Sequence, residues 1–248
     1  MIRTIDPPDI RNLQRVGAPN WSEFQAAGRR ISRQLLVAIL QEMPQFASGG
    51  MNVLDFGCGC GRVLYPMLEL LPDHHFHGVD VDQSAIDYLR TQLPDIDLRC
   101  TDFQPPLPFT DQYFDLVYSI SIWTHLSPPD QMTWLAEVAR VTKKGGYVFI
   151  STSSYSALKA RKLRGDPGWS QVSEDDLNRR GVIFIPYAVT GDSQDVWTPG
   201  ITADYGLTVN SPSYCSENFG QGMQVEKVMA DHIDGVQDLV VLSRRSLG

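Results

Sequence analysis

Residues 53–61 read VLDFGCGCG, and this stretch decides the expected fold. A short apolar run ends at the acid Asp55, and the loop that follows has glycine at positions 57, 59 and 61. Glycine has no Cβ atom, so it can take positive φ and let a ligand lie close to the backbone. Residues 62–71, RVLYPMLELL, then repeat apolar side chains at helical spacing. This order predicts a nucleotide-like cofactor site in an α/β sheet; the alternative is an ordinary strand-to-helix turn.

The composition is that of one α/β domain. The chain has 248 residues, 42% of them hydrophobic, and a formal net charge of −8, which makes nucleic acid a poor partner. No apolar stretch approaches the length of a membrane span, and the N-terminus does not look like a signal peptide. The four cysteines do not form a disulfide framework. We therefore expect a cytoplasmic protein, a monomer or a homodimer, with neither a nucleic-acid nor a membrane partner.

Strand and helix patterns alternate after residue 50. Apolar runs typical of buried strands follow the first one, and amphipathic patterns typical of helices lie between them. Pro128 and Pro129 suit a first helical turn, Ser84 suits an N-cap, and the KKGG sequence at 143–146 suits a helix end. This alternation predicts a doubly wound, mostly parallel sheet with helices on both faces. The predicted ranges are 75–82, 97–103, 113–122 and 147–153 for strands, and 84–93 and 128–142 for helices.

Segments on either side of this core complete a single predicted domain over 1–248. Residues 1–20 predict an irregular arm, and a helix from Ser22, its expected N-cap, to Met43 predicts a cap. Residues 155–210 break the alternation, with two short strands and a basic cluster, and predict an inserted lid after strand 5. A short helix and two strands then bring the sheet to seven. The predicted parts are 1–49 (arm and cap), 50–154 (core), 155–210 (lid, with strands at 182–189 and 205–209) and 211–248 (C-terminal helix and strands).

Five features in this order resemble the class I (Rossmann-like) S-adenosylmethionine (SAM)-dependent methyltransferases, in their bacterial methyltransferase-domain branch. An acid precedes GxGxG, a second acid ends strand two in GVDVD, and a third follows strand three in TDF. FDLVYSIS supplies strand four, and KKGGYVFIS supplies the turn and strand five. The resemblance covers residues 50–153 closely and 223–245 more loosely. It implies a seven-stranded sheet, SAM as cofactor and S-adenosylhomocysteine (SAH) as product.

The resemblance also implies which residues hold the methionine half of SAM. The loop 57–61 would pass beneath the methionine and the ribose, and Asp55 would position the amino group. Arg62 would reach the carboxylate with its guanidinium, unless it pairs with a surface acid. Ser119 and Ile120, at the end of strand four, would touch the cofactor near its methyl, although Ser119 could serve only packing. The loop residues assigned to the site are Gly57, Cys58, Gly59 and Gly61.

For the nucleoside half, the resemblance implies four residues after strands two and three. Asp80 would accept hydrogen bonds from both ribose hydroxyls, because a carboxylate offers two acceptor oxygens. Val81 would pack on the adenine, Asp102 would accept from its amino group, and Phe103 would donate a backbone N–H. An acid after a strand is also a common helix N-cap, which is the alternative for both acids.

Two residues are candidates for catalysis on the acceptor side. His125 follows strand four in SIWTHLS, and the ordinary pKa of histidine suits proton abstraction near neutrality. It could instead cap or pack against the next helix. Tyr155, directly after strand five, is the second candidate. We expect methyl transfer to a small-molecule acceptor at oxygen, with the lid choosing the acceptor; the alternative is N-methylation of a small molecule or peptide.

The glycine loop also has to be compared with two other functions, and the HHFH sequence with a metal site. An NAD-linked oxidoreductase would carry GxGxxG, and Arg62 stands where its last glycine is needed. A protein that binds SAM without transferring its methyl would keep the same loop. The HHFH sequence at 74–77 does not predict a metal, because only two of its histidines share a strand face and no acid or cysteine lies at a useful spacing.

Overall fold

A seven-stranded sheet forms the centre of the molecule. The computed structural model describes residues 5–166, 168–187 and 205–245. The strands of the sheet are β1 Asn52–Phe56, β2 His75–Asp80, β3 Asp97–Cys100, β4 Phe114–Ser119, β5 Thr142–Ser153, β8 Gln224–Ile233 and β9 Gln237–Ser243; β6 Val182–Pro186 and β7 Gly206–Asn210 form a separate two-stranded sheet. The helices are α1 Ile10–Arg15, α2 Trp21–Glu42, α3 Leu64–Leu70, α4 Gln83–Gln92, α5 Pro128–Val141, α6 Tyr155–Arg164, α7 Glu174–Arg180 and α8 Pro212–Asn218.

The strand order is β3-β2-β1-β4-β5-β9-β8. The first five strands are parallel, while β9 runs antiparallel to both β5 and β8. The chain turns from one side of the sheet to the other between β1 and β4, which is the position where open α/β sheets bind ligands. Asp55 on β1 pairs in register with Gly78 on β2 and Tyr118 on β4. The predicted doubly wound, seven-stranded fold is confirmed.

Helices cover both faces of the sheet, and β1 is therefore buried on both sides. Val53 packs with Leu35 of α2 and Ile86 of α4 in one hydrophobic cluster. Its neighbour Leu54 packs with Trp134 of α5 in a second cluster, as the alternation of strand side chains requires. No helix among the described residues is long and apolar enough to cross a membrane.

The N-terminal cap is more regular than predicted. Helix α2 begins at Trp21, and its N-cap is Asn20 rather than Ser22, because the Asn20 side-chain oxygen accepts the Glu23 N–H at 2.9 Å. The arm that we expected to be irregular contains α1, whose first turn is capped by the Asp9 carboxylate. At Gly28 a Cβ would lie 2.1 Å from the Arg62 carbonyl oxygen, so only glycine lets α2 pack this closely on the glycine loop.

Several predicted boundaries shift for identifiable reasons. Helix α4 is capped by Asp82 rather than Ser84, because the Asp82 carboxylate accepts the Ser84 N–H at 2.9 Å. The KKGG sequence lies inside β5 instead of ending α5: Thr142 is already extended, and the strand runs from there to Ser153. The predicted third and fourth strands end early, at Cys100 and Ser119.

The insertion after β5 forms a small unit with its own core. Leu158 of α6, Leu177 of α7 and Ile183 of β6 share a hydrophobic cluster. Both predicted lid strands are present as the β6–β7 hairpin, although residues 188 and 189 of the first lie outside the described residues. The hairpin also pairs with the loop after β4: Thr208 N–H donates to the Thr124 carbonyl at 2.8 Å. The lid is thereby joined to the switch point of the sheet.

Candidate cofactor and active site

A cavity of about 380 Å³ opens at the carboxyl ends of β1, β2 and β4. Its wall combines the glycine loop, the segment after β2, the loop after β4, the N-terminal arm and the lid. Of the residues predicted from the sequence, those that line it are Asp55, Gly57, Cys58, Gly59, Arg62, Asp80, Val81, Ile120 and His125. One cavity therefore brings together most of the predicted cofactor residues and one of the two catalytic candidates.

The three glycines of the loop have different physical reasons for being glycine. All have positive φ: +81° at Gly57, +52° at Gly59 and +86° at Gly61. A Cβ at Gly57 would lie 2.3 Å from Ile122, and one at Gly61 would lie 2.8 Å from Leu89. A Cβ at Gly59 would meet nothing within 4 Å. Since Gly59 lines the cavity and Gly61 does not, Gly59 is the position where a side chain would occupy ligand space.

The Asp80 carboxylate fixes the shape of the glycine loop. One of its oxygens accepts the Gly59 N–H at 2.7 Å, and the other accepts the Asp82 N–H at 2.9 Å. The N-cap role that the sequence left open for Asp80 belongs to Asp82, whose carboxylate caps α4. Asp80 lines the cavity and at the same time holds the backbone of the glycine loop.

Asp55 is a buried carboxyl group with an unsatisfied oxygen. It is 2% exposed, and its Oδ2 has no hydrogen-bond partner among the described residues. Burial raises the pKa of Asp55 to about 8, and the Asp80 carboxylate adds to this rise, while the nearby Tyr118 hydroxyl and Arg62 guanidinium oppose it. A carboxyl group in this environment is protonated at neutral pH, and a cation placed beside it would favour its ionised form.

Arg62 lines the same cavity and brings a cation near this group. Its guanidinium forms no ion pair with any carboxylate in the described part of the chain; its hydrogen-bond partner there is the Val16 carbonyl, at 3.5 Å. Burial lowers the pKa of Arg62, although the side chain stays charged. A guanidinium without a carboxylate partner beside a cavity suits an anionic ligand group.

His125 lies on the cavity wall in the loop after β4. Its Nδ1 is 3.2 Å from the Gly206 carbonyl oxygen and also contacts the Tyr187 hydroxyl. With the hydrogen on Nδ1 the ring donates to this carbonyl and Nε2 is an acceptor, whereas with the hydrogen on Nε2 the Nδ1 atom accepts from the Tyr187 hydroxyl. Burial lowers the pKa of His125 to about 4, whereas the sequence argument assumed an ordinary value. The ring is therefore neutral at physiological pH.

Five predicted site residues lie outside the cavity wall. Ser119 is fully buried, and its hydroxyl donates to the Phe56 carbonyl at 2.8 Å. Asp102 is exposed, and Phe103 beside it is half-buried. Tyr155 packs on the lid cluster and donates its hydroxyl to Asn178. The fifth is Gly61, described above.

Further residues of the wall were not among the predicted site residues. Asn12 belongs to the arm predicted to be irregular, while Tyr205 and Arg161 come from the predicted lid, the latter from its basic cluster. Ser121 has φ +65°, a conformation that costs a non-glycine residue roughly 1–3 kcal/mol, and its hydroxyl contacts the Gln237 amide at 3.0 Å. Gln237 begins β9, which is antiparallel, so its first residue lies at the same edge as the ends of the parallel strands.

The histidines at 74–77 are occupied with other contacts. His74 stacks on Phe46 with ring centroids 4.1 Å apart, and His77 Nδ1 lies 3.1 Å from the Asp97 carboxylate. Within residues 5–166, 168–187 and 205–245, no group of three histidine, cysteine, aspartate or glutamate residues could hold a metal ion.

Comparison with known proteins adds an independent line of evidence. Residues 53–146 match a family described as a methyltransferase domain. A phthiotriol/phenolphthiotriol dimycocerosates methyltransferase of Mycobacterium tuberculosis is 35% identical over 206 residues, which cover 74% of this chain and 71% of that protein. A ubiquinone biosynthesis O-methyltransferase of Maricaulis maris is 25% identical over 60% of this chain and 62% of its own.

The fold is also that of a methyltransferase of known structure. The crystal structure of magnesium protoporphyrin IX methyltransferase from Synechocystis PCC 6803, with bound SAH, superposes with a TM-score of 0.60 over 96% of this chain and 94% of that one, at 13% identity. At 13% identity this structural similarity supports only the fold. The sequence relationship to methyltransferases rests on the Mycobacterium tuberculosis relative. The chain therefore belongs to the class I SAM-dependent methyltransferases and is an enzyme with SAM as its cofactor.

Proposed function

We propose that this methyltransferase methylates a hydroxyl oxygen of a small molecule, with His125 as the group that takes the proton. The observation that carries the proposal is the position of His125: a neutral ring on the cavity wall, with Nδ1 3.2 Å from the Gly206 carbonyl oxygen. We assign the hydrogen to Nδ1, which makes Nε2 the nitrogen that would accept from a hydroxyl. The name of the Maricaulis maris relative, an O-methyltransferase, supports oxygen as the acceptor atom.

The polar groups of the cavity fit the methionine half of SAM. The unsatisfied Oδ2 of Asp55 suits the amino group, which is a cation at neutral pH. The Arg62 guanidinium suits the carboxylate, since the geometry of the two groups is complementary. The open space in front of Gly59 lets the cofactor lie against bare backbone. Ile120 borders the same cavity at the end of β4, and Ser119 would act through its hydrogen bond to β1.

The nucleoside half is assigned to the residues after β2 and β3. Asp80 lines the cavity after β2, and a carboxylate is the kind of acceptor that the two ribose hydroxyls need. Val81 lines the cavity and would pack on the adenine. Asp102 and Phe103 follow Thr101, which lines the cavity, and the Asp102 carboxylate would accept from the adenine amino group. Cys58 would contribute backbone and packing, because its thiol is buried and burial raises its pKa.

Bound SAM supplies a methyl group already activated by a positively charged sulfur, so the protein's share is mainly orientation. His125 would hold the acceptor hydroxyl by accepting its hydrogen at Nε2. A pKa of about 4 gives the ring less driving force than a pKa near 7, but it keeps the ring unprotonated at working pH. The proton would move to His125 as the oxygen becomes acidic on gaining its new bond.

The test uses transfer of label from methyl-labelled SAM into an extract of the source cells, with wild type beside His125→Gln. The glutamine keeps polarity and approximate length but cannot take the proton. We expect SAH affinity within about threefold of wild type in calorimetry and a loss of transfer of roughly 100-fold, the usual range for general bases. Full transfer by His125→Gln would refute the role of His125. Label that enters amines rather than hydroxyls would favour N-methylation, and SAH binding without any transfer would favour a SAM-binding protein.

A further inference from the structure

The lid reaches the cofactor end of the cavity through Tyr205. This residue directly precedes β7 and pairs with Leu126 of the loop after β4 in an antiparallel bridge. Its ring lies edge-on to the Phe103 ring, with centroids 5.7 Å apart. Tyr205 lines the same cavity as Asp80 and Val81. An aromatic side chain of the insertion thus faces the half of the cavity that we assign to the nucleoside.

Two residues near Tyr205 belong to the proposed nucleoside side. Phe103, whose ring contacts the Tyr205 ring, follows the strand proposed to border the adenine, and Asp80 on the same cavity wall is the residue proposed to hold the ribose. Burial raises the pKa of the Tyr205 phenol, and the Asp80 and Asp130 carboxylates raise that pKa further. The acceptor-side candidate His125 contacts the backbone of the next residue, Gly206.

We propose that Tyr205 binds the nucleoside of SAM, so that the inserted lid forms part of the cofactor site as well as enclosing the acceptor. This inference rests on the proposed assignment of Asp80 and Phe103 to the nucleoside. An aromatic side chain binds a base through contact with the base's flat face, and this contact does not need a hydrogen bond. The ring, rather than the hydroxyl, is the group that matters.

The same stretch of backbone holds the candidate base. Gly206 donates its N–H to the His125 carbonyl at 3.1 Å and accepts from the His125 ring, while Thr208 donates its hydroxyl to the Leu126 carbonyl at 2.5 Å. Tyr205 is one residue away from these contacts. Residues 205–208 therefore include both the proposed nucleoside contact and the backbone groups that hold His125. The proposed cofactor site and the proposed acceptor site share this segment.

The test is calorimetry of the full chain with two probes, SAH and adenosine. Tyr205→Ala should weaken both by the same factor, roughly 10-fold, since an aromatic contact with a base is worth about that in alanine substitutions. Tyr205→Phe should bind both within about threefold of wild type, because it keeps the ring. Leu207→Ala is the control, since it removes a buried side chain of β7, two residues from Tyr205, that does not line the cavity.

Two results would overturn the inference. One is SAH affinity in Tyr205→Ala within twofold of wild type, or an SAH loss without the equal adenosine loss. The other is an equal loss in Leu207→Ala, because integrity of the hairpin would then explain the effect. If wild type itself binds neither probe, the assignment of the cofactor residues fails instead, which separates the two claims.

Discussion

Gly59→Ala separates the space that the cofactor needs from the space that the fold needs. A Cβ at this position meets no protein atom within 4 Å, so the folded protein has room for it. The cost to the fold is backbone strain, since φ is +52° and a left-handed conformation costs a non-glycine residue roughly 1–2 kcal/mol. For a chain of this length that corresponds to a fall in melting temperature of about 2–8 °C.

Gly59→Ala should also lose affinity for SAH, because the new methyl group enters the cavity. Forcing an extra methyl into a filled site costs roughly 1–3 kcal/mol, which is about 5–150-fold in affinity. Gly145→Ala is the matched control: Gly145 has φ +81° and open space in front of a Cβ, but it lies in β5 away from the cavity. It should lose similar stability and keep its affinity for SAH.

The assay is calorimetric titration with SAH, together with thermal unfolding of the ligand-free protein. We expect Gly59→Ala to fall in both measurements and Gly145→Ala to fall only in the second. SAH affinity of Gly59→Ala within twofold of wild type would refute the reasoning, because the cofactor would then not lie against the Gly59 backbone.

Three further predictions concern charged and titrating groups. Asp80→Ala should weaken SAH by roughly 100-fold in calorimetry, because two charge-assisted hydrogen bonds are lost, whereas exposed Asp102→Ala should cost less than about fivefold; the reverse order would exchange their roles. Binding of SAH at pH 7 should release close to one proton from Asp55, whose pKa is about 8 in the free protein, and titrations in buffers of different ionisation enthalpy should show this release in wild type but not in Asp55→Asn. The buried neutral His125 should lower the free energy of unfolding by up to about 3 kcal/mol as pH falls from about 6.5 towards 4, because the unfolded chain binds the proton more tightly there. Urea unfolding at several pH values would contradict this if the free energy of unfolding fell as steeply with pH in His125→Gln as in wild type.

The sheet and its ligand edge could be predicted because buried parallel strands are continuous apolar runs in the sequence. The runs before Asp55 and Asp80 end where the strands end, so the acids fall on the ligand edge. Ser119 and Ile120 show the limit of this reasoning. They are neighbours at the end of β4, yet Ser119 is buried against β1 and Ile120 lines the cavity, since adjacent side chains point in opposite directions.

The positions that the sequence left unassigned depend on contacts between distant segments. Asn12 lies in a six-residue helix that is too short for a clear periodic pattern. Tyr205 reaches the cavity because the lid hairpin pairs with the loop after β4, and a local pattern does not predict that pairing. The lowered pKa of His125 has the same origin, because the burial that causes it requires the lid to be in place.

The measurement that tests the central claim most directly is the fate of the methyl group. The purified protein would be incubated with methyl-labelled SAM and an extract of its source cells, then separated into small-molecule, glycan, protein and nucleic-acid fractions, with Asp80→Ala as the control. We predict label in the small-molecule fraction as an O-methyl group, and roughly 100-fold less of it with Asp80→Ala at a SAM concentration below the dissociation constant. Label in the protein or nucleic-acid fraction, or no transfer while SAH binding is confirmed in the same sample, would contradict the account.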